Sequence, residues 1–117
     1  MILVVEDDAI QRQNLEAQLE DEGFKTLSAD NAEKALVLLN AHRDIQIIVL
    51  DVQMPGRLDG IDVLLAVRAR WPQMKTLMIS GQANRAQLPA DVPLLMKPYT
   101  GEKLLAMVRQ MLVPAAL

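Results

Sequence analysis

The stretch Ile47-Ile48-Val49-Leu50-Asp51 limits the fold more than any other part of the chain. Four consecutive β-branched or leucine residues leave no polar side for water. An unbroken apolar run of this length reads as a strand buried on both faces, and such strands belong to parallel sheets covered by helices. The run stops at a carboxylate, and Pro55-Gly56 breaks the chain soon afterwards. Asp51 therefore sits at the carboxyl end of a buried strand, the place where open α/β sheets bind ligands.

The rest of the chain repeats this pattern. Ile2–Val5 reads as a first strand ending in Glu6-Asp7-Asp8. A helix follows over Ala9–Glu22 with Ile10, Leu15, Ala17 and Leu19 as its apolar positions, and Gly23 is placed to end it. Phe24–Ala29 reads as a second, more polar strand suited to a sheet edge. Asp30 or Asn31 can cap a second helix carrying Ala32, Ala35, Leu36 and Leu39. The third strand spans Ile45–Leu50. A third helix covers about Ile61–Ala69, with Ile61, Leu64, Leu65 and Arg68 along it, and Trp71-Pro72 stops it. Lys75–Ile79 is a fourth strand ending in Ser80-Gly81, and Pro93–Met96 a fifth ending in Lys97-Pro98-Tyr99. Thr100 can cap a last helix over Gly101–Leu112, with Leu104, Leu105, Val108, Met111 and Leu112 inward. Strand and helix alternate with short connections, which predicts one α/β domain over residues 1–117: a doubly wound parallel sheet of five strands with helices on both faces. One interval strains the scheme. Residues 81–92 must hold a whole crossover, and about 10–12 residues is the minimum. The helix between strands four and five is expected to be short or irregular.

Strand ends in a parallel sheet share one rim. Glu6 and Asp7, Asp51, Ser80 and Lys97 all end apolar runs, so they are expected to meet there. Clustered carboxylates repel one another and call for a cation, and oxygen ligands suit a hard ion such as Mg²⁺, whose remaining positions take waters and phosphate oxygens. A lysine and a hydroxyl complete a site for a phosphoryl group. There is no glycine-rich phosphate cradle, so the site does not read as a nucleotide pocket. An aspartate can itself be the nucleophile and form an acyl phosphate.

Composition narrows the partners. The chain has 117 residues, a net charge of -3 and no cysteine. Without clustered Lys and Arg, direct nucleic-acid binding is not expected. Without cysteine, disulfides and thiolate metal sites are excluded. No apolar run is long enough to span a membrane, and the N-terminal run is too short for a signal peptide, so a cytoplasmic location is expected. The single Phe, Trp and Tyr leave the core to aliphatic residues.

The ordered set Val4-Val5-Glu6-Asp7-Asp8, Leu50-Asp51-Val52-Gln53-Met54-Pro55-Gly56, Asp59-Gly60, Met78-Ile79-Ser80-Gly81 and Lys97-Pro98-Tyr99 resembles the receiver domain of two-component response regulators, over essentially the whole chain. The resemblance implies a flavodoxin-like sheet of order 2-1-3-4-5. It implies Asp51 as phosphoacceptor, Asp7 as direct Mg²⁺ ligand with Glu6 acting mostly through water, and a Gln53 backbone carbonyl on the metal. It implies Ser80 and Lys97 on the phosphoryl oxygens and a cis Lys97-Pro98 peptide, with Asp8 as a helix N-cap. The implied partner is a histidine kinase or phosphotransfer protein, and the implied domain is a switch that assists its own phosphorylation, not a turnover enzyme. A phosphorylation-dependent dimer belongs to the same set of expectations.

Three features depart from the family pattern: a loop 55–60 one residue longer than the commonest form, the short interval after Ser80, and Leu94 where many receivers carry a switching aromatic. They favour a phosphorelay or hybrid-kinase segment, or a binding module that is not phosphorylated, as alternatives. An aspartyl phosphatase of the haloacid-dehalogenase type is more distant, because its Asp-x-Asp follows the first strand. Gln53 and Gln82 are expected to flank the phosphoryl group. His42, at a helix end beside Arg43 and Asp44, reads as a surface residue favourable to the helix dipole.

Overall fold

The computed structural model describes residues 1–54, 58–81 and 88–112. Five strands, β1 (Ile2–Val5), β2 (Thr26–Ala29), β3 (Ile47–Asp51), β4 (Lys75–Ser80) and β5 (Leu94–Met96), form one sheet of order β2-β1-β3-β4-β5. Every pairing is parallel. The helices are α1 (Ala9–Asp21), α2 (Ala32–Ala41), α3 (Gly60–Arg70) and α4 (Gly101–Leu112). The expected sheet order holds, with the more polar β2 at an edge.

Strand periodicity sorts the core into two layers. Leu3 and Val5 of β1, Ile48 and Leu50 of β3 and Met78 of β4 face α2 and α3, meeting Ala35, Leu39, Val63, Leu64 and Val67. Ile2, Val4, Ile47, Val49, Leu77, Ile79 and Leu95 face α1 and α4, meeting Leu15, Leu19, Leu104 and Val108. All of β1 and β3 is buried, as uninterrupted apolar strands require.

Local chemistry sets the helix ends. The Asp8 side chain caps α1 by accepting from the Gln11 N–H at 2.9 Å, and Asn31, not Asp30, caps α2 through the Lys34 N–H at 2.8 Å. Gly23, at φ 92, takes the left-handed turn after α1 that other residues rarely adopt. Asp59 and Asp62 form a reciprocal capping box on α3.

Some boundaries and faces differ from the sequence reading. β2 begins at Thr26 rather than Phe24, β3 at Ile47 rather than Ile45, and β5 at Leu94 rather than Pro93. Ile45 is buried without being in a strand, so its apolar character reports burial alone. On α3 the buried seam is Gly60, Val63, Leu64 and Val67, and Leu65 is 56% exposed. On α1, Ile10 points to solvent at 71% exposure. Most of the interval after Ser80, and part of the loop 55–60, lie outside the described residues, so the short-helix and long-loop readings fall there, as does Gln82.

Candidate functional site

The sheet reverses its winding between β1 and β3: β2 is added on one side of β1, while β3, β4 and β5 follow on the other. Such a switch point opens a crevice at the strand carboxyl ends. Glu6 and Asp7 leave β1 there, and Asp51 closes β3. One carboxylate oxygen from each of Glu6, Asp7 and Asp51 lies within 4.8 Å of the others. Glu6 and Asp51 are buried at 1% and 4% exposure, while Asp7 is open to solvent.

Register brings the remaining residues to the same rim. Asp51 pairs with Ile79, so Ser80 is the next residue on the adjacent strand. Ser80 pairs with Met96, so Lys97 is the next one across. The Lys97 N–H donates to the Ser80 carbonyl at 2.8 Å, and Ser80 is buried. The Lys97 ammonium then reaches back across the crevice to Glu6 Oε2 at 3.3 Å and Asp51 Oδ2 at 3.2 Å. The Lys97-Pro98 peptide is cis. The other Asp51 oxygen, Oδ1, accepts the Gln53 N–H at 3.0 Å, which fixes the carboxylate's orientation at the start of the following loop.

The electrostatics follow from burial and crowding. Burial, together with the neighbouring Asp51 carboxylate, pushes Glu6 up from 4.5 to about 7. Burial works to lower Lys97, but the charges of Asp51 and Glu6 outweigh it and raise it above its ordinary value. Tyr99, half-buried beside the site, is pushed up to about 12 by burial and by the same two carboxylates. Lys97 thus stays charged, and it is placed against two buried acids.

Arg12 and Asp62 entered this site without being read from the sequence, and Gly60, read only as part of the Asp59-Gly60 motif, has a packing role there. Arg12 of α1 donates from Nη1 to the Glu6 carbonyl at 2.9 Å and to the Asp7 carbonyl at 3.4 Å, tying down the acidic loop. The signal was available, since Arg12 is one turn after the N-cap Asp8. Gly60 packs so closely beneath the site that an added Cβ would lie 2.1 Å from the Asp51 carbonyl oxygen. Asp62 completes the capping box that starts α3, a pattern visible as Asp59-x-x-Asp62. The donor set fits a hard cation: oxygen ligands only, two of them buried, with one ligand facing water. The same residues offer an orienting lysine and a hydroxyl-bearing neighbour to a phosphoryl group.

Comparison with known proteins agrees with this geometry. The family model for the response regulator receiver domain matches residues 2–109. The hydrogenase transcriptional regulatory protein HoxA of Cupriavidus necator is 33% identical over 115 residues, covering 93% of this chain and 23% of that protein. The response regulator MprA of Mycolicibacterium vanbaalenii is 33% identical, covering 95% of this chain and 49% of its own length. The chain thus spans about a quarter to a half of these relatives. Among solved structures, the receiver domain of NtrX from Brucella abortus superposes with a TM-score of 0.88 at 30% identity, covering 96% of this chain and 98% of that one. TrrA from Thermotoga maritima, solved in complex with Mg²⁺-BeF, gives a TM-score of 0.84 at 25% identity, covering 95% and 97%. A nucleophile candidate on β3 and a family match across the sheet leave no place for the haloacid-dehalogenase reading. The chain belongs to the response regulator receiver domain family, the phosphoacceptors of two-component signalling.

Proposed function

We propose that Asp51 is the phosphoacceptor and that the domain over residues 1–117 works as a single phosphorylation-controlled switch in the cytoplasm. The observation that carries this reading is Lys97, held at 3.2 Å from Asp51 Oδ2 and 3.3 Å from Glu6 Oε2. A buried carboxylate beside a fixed cation, at a strand end on the switch point, has the geometry a phosphoryl group needs. An Asp51 oxygen bonds to phosphorus, the phosphorus–nitrogen bond of a kinase phosphohistidine breaks, and its electron pair leaves with the imidazole nitrogen. Lys97 faces the added negative charge and Ser80 donates its hydroxyl to a phosphoryl oxygen. Asp7, Asp51, the Gln53 carbonyl and, through water, Glu6 would hold Mg²⁺. When bound, that ion supplies charge neutralisation for the carboxylates and the incoming phosphoryl oxygens.

The domain acts once per phosphorylation event and is not a turnover enzyme. Its partner is a histidine kinase or a phosphotransfer protein, and its output is a change in protein contacts, of which a phosphorylation-dependent dimer is one form. Incubation with phosphoramidate and Mg²⁺, read by intact mass, tests the acceptor. Wild type gains one phosphoryl group and Asp51→Asn gains none. Persistent labelling of Asp51→Asn would sink the assignment.

A further inference from the structure

The guanidinium of Arg12 stands where a cation is poorly placed. Arg12 belongs to the first turn of α1, and the positive end of a helix dipole disfavours positive charge there. Two carbonyls hold it. Helical side chains lean back toward the helix N-terminus, so a residue one turn in from the N-cap Asp8 reaches the chain before that cap. Nη1 carries two hydrogens, and its two acceptors are the Glu6 carbonyl at 2.9 Å and the Asp7 carbonyl at 3.4 Å.

Those carbonyls lie on either side of Asp7. The Glu6 carbonyl belongs to the peptide plane before it, and its own carbonyl to the plane after it. Holding both planes restricts φ and ψ of Asp7 and so sets the direction of its Cα–Cβ bond. The neighbouring residues are held by other means. The Glu6 N–H donates to the Ala29 carbonyl at 3.1 Å, and the Asp8 N–H donates to Glu6 Oε1 at 3.2 Å. Glu6 and Asp51 are buried and share the Lys97 ammonium, which orients their carboxylates directly. The Asp7 carboxylate is open to solvent, so its aim into the cluster depends on its backbone. The Arg12 charge is itself answered by Asp30, whose carboxyl is held below its ordinary value chiefly by the Lys34 hydrogen bond and in smaller part by Arg12.

We propose that Arg12 is a positioning residue for the cation at this site: by holding the two peptide planes around Asp7, it aims that carboxylate before the cation arrives. This role rests on the reading of Glu6, Asp7 and Asp51 as a Mg²⁺ site. Two opposed effects give it a testable sign. As a bare charge, the guanidinium repels a divalent cation, and its removal would tighten Mg²⁺ binding. As a positioning group it does the reverse, and outer partners of metal ligands are worth about 10–100-fold in metal affinity.

Arg12→Met keeps the apolar stem and removes both donors, while Arg12→Lys keeps a cation and its donors but loses the planar fork. Mg²⁺ affinity is measured by titration calorimetry on wild type, both variants and Asp7→Ala, each shown to be folded by circular dichroism. Hydrogen exchange of the metal-free proteins in EDTA is the second readout. Arg12→Met should weaken Mg²⁺ binding about tenfold or more, with Arg12→Lys between it and wild type. In EDTA the Asp8 amide of Arg12→Met should exchange faster than in wild type, with β4 and α4 equally protected. The role is overturned if Arg12→Met binds Mg²⁺ as wild type does, whatever its urea midpoint, since Arg12 would then be structural only. It is also overturned if Arg12→Met binds Mg²⁺ more tightly, which would make Arg12 a bare charge. If Asp7→Ala weakens Mg²⁺ binding and Arg12→Met does not, the metal site stands and the positioning role alone falls. If wild type and Asp7→Ala bind Mg²⁺ alike, the metal reading falls and the positioning role with it.

Discussion

Two glycines begin helices here, and replacing each with alanine should have opposite effects. Gly60 is the first residue of α3 and Gly101 the first of α4. On helix propensity alone, each Gly→Ala exchange is worth about 0.5–1 kcal/mol of added stability. At Gly101 the nearest atom to a new Cβ is Gln18 Nε2 at 3.2 Å, the far end of a side chain that can swing aside. At Gly60 the nearest atoms are backbone: Asp51 O at 2.1 Å, Val52 Cα at 2.8 Å and Asp51 C at 2.9 Å. Ordinary contact begins near 3.4 Å, so α3 and the end of β3 must separate by more than about 1 Å. They are also joined by the Gly60 N–H donating to the Val52 carbonyl at 3.1 Å, which the movement stretches. Overpacking costs about 1–3 kcal/mol, and the strain falls on rigid backbone, so the upper end applies and exceeds the propensity gain. Gly60→Ala should lose about 2 kcal/mol, while Gly101→Ala should be neutral or gain up to about 1 kcal/mol. With a urea m-value of about 2 kcal/mol/M, the Gly60→Ala midpoint falls by about 1 M. Because the displaced atoms belong to Asp51, phosphoramidate labelling should also slow by about tenfold, the equivalent of 1.4 kcal/mol in the barrier. A Gly60→Ala midpoint equal to wild type, or a Gly101→Ala loss of the same size, would refute the close-approach argument.

Other perturbations separate the charges of the site. Lys97→Met leaves Glu6 and Asp51 buried without their cation, so the protein in EDTA should lose about 2–3 kcal/mol by urea unfolding, and millimolar Mg²⁺ should restore part of it. Asp7→Ala removes an exposed carboxylate; stability should stay within about 0.5 kcal/mol while Mg²⁺ affinity, by titration calorimetry, falls about tenfold or more. Glu6 binds a proton in the native state up to about pH 7 but releases it near 4.5 when unfolded, so the native chain holds more protons in between. The EDTA-treated protein should therefore lose stability as pH rises from 4.5 to 7 and level off above that, and Glu6→Gln should flatten the slope. A Glu6→Gln urea series with the wild-type slope would remove Glu6 as its source.

How far the chain could be read from its sequence depends on how many residues a feature needs. A parallel strand buried on both faces announces itself as an apolar run, so β1, β3 and β4 and the polar residues ending them were legible one strand at a time. Register then does the rest: once neighbouring strands are parallel and their ends aligned, Asp51, Ser80 and Lys97 must share a rim, and they do. Arg12 was harder, because its targets are backbone carbonyls, which carry no residue-type signal.

The α3 seam shows what sequence periodicity cannot supply. Ile61, Val63, Leu64, Leu65 and Val67 place apolar residues nearly all the way round the helix, so several faces compete, and the row Ile61, Leu64, Leu65 and Arg68 read along it shares only Leu64 with the buried seam. The deciding residue has no side chain. Gly60 lets α3 start directly against the Asp51 carbonyl, and helical geometry then carries the same face through i+3, i+4 and i+7, which are Val63, Leu64 and Val67. Leu65, five residues on, is turned by about 140° and meets water. The rotation of α3 and the seating of Asp51 therefore share one cause, a contact between a glycine and the end of β3. A larger residue at 60 should disturb both together. In Gly60→Ala, hydrogen-exchange protection should fall at Val63–Val67 as well as at Leu50–Val52, while α4 stays protected. Loss confined to either segment would mean that the helix phase and the position of Asp51 are set independently.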